Sequence, residues 1–226
     1  STYDVDLATG ALTLLKQDTV PGGHDPAQYV AERLFATAED GVAVPISVVR
    51  RRDRPEGPGP LLLAGYGAYG VSYDPYFLRN HLSLLDRGVT FAVAHIRGGQ
   101  EMGRHWYEDG KLLKKMNSFS DFIACADHLV ASGWTTHDQL IITGESAGGL
   151  LMGAVVNARP DLARAVVADV PFVDMMRVML DQSLPLTTGE FVEWGDPRQP
   201  EFNAYMRSYS PYDNVRRADY PEMLIT

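Results

Sequence analysis

The stretch Leu140-Ile141-Ile142-Thr143-Gly144-Glu145-Ser146-Ala147-Gly148-Gly149-Leu150-Leu151-Met152 decides how this chain is read. Its first four residues read as a short buried strand, and the apolar run after the glycines reads as a helix over 150–157, stopped before Pro160. Gly144 and Gly148 stand two residues before and two after Ser146. A serine hydroxyl is a poor nucleophile and has to be held exposed, near a base and near donors for a developing oxyanion. A sharp strand-to-helix turn does this, but it strains the serine backbone and crowds its neighbours, and glycine relieves the crowding. The Ala147 N–H, at the helix start, then faces the oxyanion. Gly-x-Ser-x-Gly is weak evidence by itself. The strand before it and the helix after it make it a nucleophile elbow.

Outward from that turn, strands alternate with helices. Strands are expected over 61–64, 89–95, 163–170 and from Met223 onward, and helices over 77–85, 120–130 and 201–207, with 181–200 loop-like. Upstream, 33–38 and 42–49 form a hairpin about the turn dipeptide Asp40-Gly41. The alternation predicts a mostly parallel, doubly wound sheet, and with the elbow an α/β-hydrolase fold. Residues 3–6 and 11–15 look like two strands around Ala8-Thr9-Gly10, and Pro21-Gly22-Gly23-His24-Asp25-Pro26 reads as a linker. The expected division is therefore 1–28, then a hydrolase domain over 29–226.

Gly65-Tyr66-Gly67-Ala68-Tyr69-Gly70 has the spacing of a dinucleotide-binding turn. Such a site needs a helix to open at once on the pyrophosphate, and Asp74-Pro75 blocks one. The strand that follows ends at Ala94-His95 rather than at an acid for a ribose. The loop is better placed to supply the second oxyanion donor through a tyrosine hydroxyl, and spacing leaves Tyr66 and Tyr69 both open.

A net charge of −9 disfavours nucleic acid, which needs a basic face. No apolar run is long enough to span a bilayer, so no membrane association is expected. Cys125 is the only cysteine, which excludes an internal disulfide and fits a reducing compartment; it lies in an apolar helical stretch and reads as a small core residue. No H-x-x-x-H pair or carboxylate-histidine cluster is present, so neither a metal nor another cofactor is expected. In this fold the nucleophile is followed by the acid and then by histidine. All six histidines (His24, His81, His95, His105, His128 and His137) precede Ser146. The chain accordingly reads as a piece that is truncated before its last strands and lacks the triad acid and base. Such a piece is expected to be inactive by itself.

Several stretches resemble the prolyl oligopeptidase family. They are the loop 65–70, Arg97-Gly98-Gly99-Gln100-Glu101-Met102-Gly103, Trp106-Tyr107-Glu108-Asp109-Gly110-Lys111 and the elbow. Val170-Pro171-Phe172-Val173-Asp174, Pro185-Leu186-Thr187-Thr188-Gly189-Glu190 and Ser208-Tyr209-Ser210-Pro211-Tyr212-Asp213-Asn214 look like its oligopeptidase B branch. The resemblance implies a cytoplasmic serine peptidase that acts on short peptides after Lys or Arg, with residues 1–28 as the end of a β-propeller. It assigns Ser146 as nucleophile, the Tyr66 hydroxyl and the Ala147 N–H as oxyanion donors, Glu190 as the acid that recognises the basic side chain, and Asp74 as an acid of the next subsite. Tyr76 and Val192 stand where the family often carries further acids, which puts selectivity for paired basic residues in doubt. The alternatives are an esterase or lipase on the same fold, which leaves Glu190 and the N-terminal strands unexplained, and a non-catalytic interaction domain.

Overall fold

The computed structural model describes residues 1–226. Strands β1 (Thr2–Val5) and β2 (Leu12–Lys16) pair antiparallel with each other alone, and every residue of both is exposed. The other strands are β3 (Tyr29–Thr37), β4 (Ala43–Arg51), β5 (Leu61–Ala64), β6 (Thr90–Ala94), β7 (Leu140–Glu145), β8 (Ala165–Asp169) and β9 (Glu222–Ile225). They form one sheet in the order β3-β4-β6-β5-β7-β8-β9. β3, β4 and β6 are antiparallel to their neighbours in that hairpin edge, while β6-β5-β7-β8-β9 run parallel.

The short apolar strands sit in the middle because they can be covered on both faces: Leu61, Leu63, Leu140 and Ile142 are fully buried. The helices are α1 (Leu82–Leu85), α2 (Arg104–Glu108), α3 (Met116–Ala131), α4 (Ala147–Ala158), α5 (Met175–Leu180), α6 (Phe191–Trp194) and α7 (Pro200–Tyr209). In α3 the buried residues Phe119, Phe122, Cys125, Ala126 and Leu129 recur at three- and four-residue steps, so one stripe of the helix faces the sheet. Burying Phe122 alone contributes about 2 kcal/mol or more. Cys125 belongs to this stripe, and burial pushes its thiol well above the ordinary range, as befits a core residue rather than a nucleophile. No helix is long and apolar enough to cross a membrane.

The doubly wound sheet expected from the sequence is therefore present, with local differences. The helix expected over 77–85 begins only at Arg79, as a single 3-10 turn leading into α1. Leu78 is extended, and Phe77 packs its ring against His24 at 4.7 Å instead. β3 and β4 are longer than their apolar cores because the ladder continues through half-buried and exposed residues from Tyr29↔Arg51 to Thr37↔Ala43. Helices α2, α5 and α6, of four to six residues, are too short for a periodic pattern to register in sequence.

Candidate active site

Ser146 lies between β7 and α4 with φ 56° and ψ −113°, in the left-handed region that a side chain rarely enters. It is exposed, although the residues after it are buried. The flanking glycines are demanded by the turn. A Cβ on Gly144 would stand 2.2 Å from the Gly148 carbonyl oxygen, and one on Gly148 would stand 2.8 Å from the Gly65 carbonyl oxygen. The Ser146 backbone is tied down through its N–H to the Asp169 carbonyl (2.9 Å) and its carbonyl to the Phe172 N–H (3.1 Å). Ala147 is the first residue of α4, so its N–H has no intrahelical acceptor.

The loop 65–70 follows β5, the strand beside β7, and this places Tyr66 at the elbow. Burial raises the Tyr66 phenol above its ordinary range, against the nearby Ser146 side chain, which lowers it. At neutral pH Tyr66 is therefore an intact O–H donor beside the serine. Tyr69 faces elsewhere: its hydroxyl donates to Glu190 Oε2 at 2.6 Å. Trp194 Nε1 is 3.1 Å from both the Tyr69 oxygen and the same Glu190 oxygen. Tyr69 is raised by burial and then by its bond to Glu190. Of the two tyrosines left open in the sequence, Tyr69 thus has its hydroxyl engaged by Glu190 and Trp194, whereas Tyr66 lies at the elbow.

Glu190 is half-buried, at the N-terminal edge of α6, and accepts from Tyr69 and Trp194. The Tyr66 and Tyr69 rings, 6.4 Å apart, connect it to the elbow. Asp74 is not joined to this group. It is exposed, and its carboxylate takes the Tyr76 hydroxyl at 3.2 Å. In the neighbouring Tyr73, burial pushes the phenol up to about 12, with the charge of Glu145 next in importance.

Each histidine is engaged away from Ser146. His95 joins Ser47 Oγ (2.7 Å) and Glu101 Oε1 (3.2 Å), His137 the Leu162 carbonyl oxygen, and His128 Ser132. His24 stacks on Tyr29, His81 packs tilted against Phe91, and His105 meets Trp106 edge-on. No group of three or more His, Cys, Asp or Glu side chains is gathered in a way that could hold a metal ion.

Two buried charges beside the site are missed by sequence reasoning. Glu193 is fully buried and accepts from the Tyr69 N–H (3.1 Å) and the Tyr107 hydroxyl (2.7 Å). Lys115 Nζ lies 3.7 Å from Glu193 and donates to the carbonyls of Gly67 and Gly110. Burial pulls Lys115 down to about 8, and Glu193 opposes the shift. Nothing in the local pattern around either residue signals burial, since the partners are 78 positions apart.

A description of the prolyl oligopeptidase family matches residues 75–226. The chain belongs to that family. Dipeptidyl aminopeptidase BI of Pseudoxanthomonas mexicana is 48% identical over 100% of this chain and 31% of its own length. Protease 2 of Moraxella lacunata is 49% identical over 100% of this chain and 33% of its own. The structure of oligopeptidase B from Leishmania major superposes with a TM-score of 0.96 at 53% identity, over 99% of this chain and 31% of that one. As a prolyl oligopeptidase family chain with an α/β-hydrolase sheet, it spans about a third of the length of the curated relatives it matches.

Proposed function

We propose that this chain carries the nucleophile and substrate-recognition half of a serine peptidase site that cleaves short peptides after Lys or Arg. The reading rests above all on Ser146, held at positive φ at the elbow with the Tyr66 ring packed beside Gly148. Ser146 Oγ attacks the scissile carbonyl and loses its proton to a base. The carbonyl oxygen takes the electron pair, and the Tyr66 O–H and the Ala147 N–H stabilise it. Collapse expels the amine, which takes the proton from the base, and water then releases the acyl group from Ser146. With all six histidines engaged elsewhere, the base is not supplied by these 226 residues.

Specificity for a basic side chain is supported by Glu190, a carboxylate fixed by Tyr69 and Trp194 with capacity left on its other oxygen. A guanidinium or ammonium desolvated against it gains a charge-assisted bond. Asp74, on a separate exposed loop, is the candidate for the next subsite, and Tyr76 and Val192 beside these acids are uncharged. Residues 1–28 are the end of a β-propeller, a reading supported by a hairpin that pairs with no strand of the main sheet. A cytoplasmic location is supported by the lone, buried cysteine.

Steady-state hydrolysis of an Arg-amide, a Pro-amide and a short acyl ester by the full protein containing this chain tests the reading. The Arg-amide is expected to be preferred, and Glu190→Gln is expected to lower kcat/KM for it by roughly 10- to 100-fold while sparing the Pro-amide. Equal turnover of both amides would overturn the basic specificity. Ester cleavage without amide cleavage would overturn the peptidase itself.

A further inference from the structure

Glu193 and Lys115 are among the few charged side chains of this fold that are almost wholly withdrawn from water, at 0% and 2% exposure. Burying such a pair is costly, and a matched apolar pair would serve stability as well or better, so what the pair touches carries its meaning. Its hydrogen bonds converge on the loop 65–70. Lys115 Nζ donates to the Gly67 carbonyl, and Glu193 accepts from the Tyr69 N–H at 3.1 Å. The remaining bonds, from Lys115 to the Gly110 carbonyl and from Tyr107 to Glu193, fix the pair to its surroundings at 3.1 and 2.7 Å. The Lys115 ammonium also lies over the Trp194 ring, 4.8 Å from its centroid.

Tyr69 is thereby gripped at both ends. Its N–H goes to Glu193 and its O–H to Glu190, three residues apart at the edge and within the single turn of α6. It holds φ 58°, a conformation a tyrosine keeps only when its surroundings over-determine it. Tyr66, three residues upstream, is separated from Tyr69 only by the Gly67 carbonyl that Lys115 holds and by Ala68. The loop that presents Tyr66 to Ser146 is thus braced by a buried ion pair, in addition to the turn closed by the Val71 N–H on the Ala68 carbonyl at 3.0 Å.

We propose that Glu193, acting through Lys115 and the Tyr69 backbone, is a positioning residue that sets Tyr66 against Ser146. This rests on the peptidase reading, in which Tyr66 stabilises the oxyanion. A group that places an oxyanion donor acts on the transition state, so its loss lowers kcat for every substrate alike. Glu190 differs in that its loss is selective for the basic side chain. The pair therefore separates placement of the chemistry from recognition of the substrate on one turn of helix.

The test uses the full protein containing this chain, with kcat and KM measured on an Arg-amide and a Pro-amide at matched fractions of folded enzyme. Glu193→Gln is expected to lower kcat at least 10-fold on both amides, with KM changed less than about 3-fold. Because Glu193→Gln leaves Lys115 without its counter-charge, the doubly neutral variant Glu193→Gln/Lys115→Met is measured beside it. It is expected to recover thermal stability while kcat stays low, since Met cannot donate to the Gly67 carbonyl. Recovery of kcat together with stability in the double variant, or wild-type kcat in Glu193→Gln, would overturn the proposal. The Glu190→Gln arm reads the specificity claim separately: a flat Arg preference there sinks that claim and leaves the kcat effect of Glu193 to be judged by itself.

Discussion

The turns 65–70 and 144–149 follow neighbouring parallel strands of one sheet and press against each other, yet different forces hold them. The elbow is fixed locally. Gly144 is needed because a side chain there would meet the Gly148 backbone, Gly148 because it lies against the Gly65 carbonyl of the neighbouring turn, and Ser146 is strained because the strand has to become a helix within one residue. The tyrosine loop is held from a distance. Gly67 packs on Ile96 and the Arg97 carbonyl, and Arg97 is clamped by the fully buried Asp121 through bonds of 2.6 and 2.9 Å. Asp121 first, then Asp40, holds the Arg97 guanidinium cationic beyond its ordinary range. Lys115 and Glu193 complete the frame. A turn that chemistry requires to be strained is written in its own residues, whereas a turn that has to present a side chain at a set distance borrows its rigidity from buried charges elsewhere.

The strongest perturbation of this contrast is Asp121→Ala, which leaves Arg97 buried with only the half-exposed Asp40 as partner. A loss of about 3 kcal/mol in unfolding free energy is expected by thermal or denaturant melting. Amide exchange should rise at Gly67 and Tyr69 well before it rises in α4. Gly144→Ala tests the other turn. A methyl 2.2 Å from a backbone oxygen cannot be relieved by a rotamer change, so about 2 to 3 kcal/mol should be lost, with the elbow displaced and the Lys115–Glu193 frame intact. Ser146→Gly should go the opposite way: removing the side chain from φ 56° is expected to stabilise the chain by about 1 kcal/mol while abolishing any chemistry at that position.

A further effect is a matter of pH. Burial pulls Lys115 down to about 8, with Glu193 opposing, while the side-chain hydroxyl of Tyr107 completes the polar surroundings of the pair. The unfolded chain keeps the lysine proton to higher pH than the folded chain does. Stability therefore rises with pH between about 8 and the ordinary lysine range, and the full penalty applies below 8. In Lys115→Met that rise should be absent from a pH series of melting temperatures.

Legibility follows the same division. β5, β7, β8 and α4 are short apolar runs broken by glycine and proline, so period and punctuation place them within a residue or three. The elbow is legible because its Gly-x-Ser-x-Gly spacing lies within six residues, with Gly144 forced by contact with the Gly148 backbone inside the same turn. The different placements of Tyr66 and Tyr69 are not legible from spacing, because they depend on Glu190 and Trp194 more than a hundred residues later capturing the Tyr69 hydroxyl. Glu193 and Lys115 read as ordinary surface charges until the fold buries them. Val192, beside Glu193 on the same turn, is 71% exposed, which shows how completely tertiary placement overrides side-chain polarity there.

The central claim, that Ser146 is the activated nucleophile of a peptidase site framed by Tyr66, is tested most directly by covalent labelling. The full protein containing this chain is treated with a fluorophosphonate, and the modified residue is located by peptide mass mapping. A single adduct on Ser146, lost in Ser146→Ala and slowed in Tyr66→Phe, is the expected result. An adduct on any other residue, or labelling that persists undiminished in Ser146→Ala, would contradict the account.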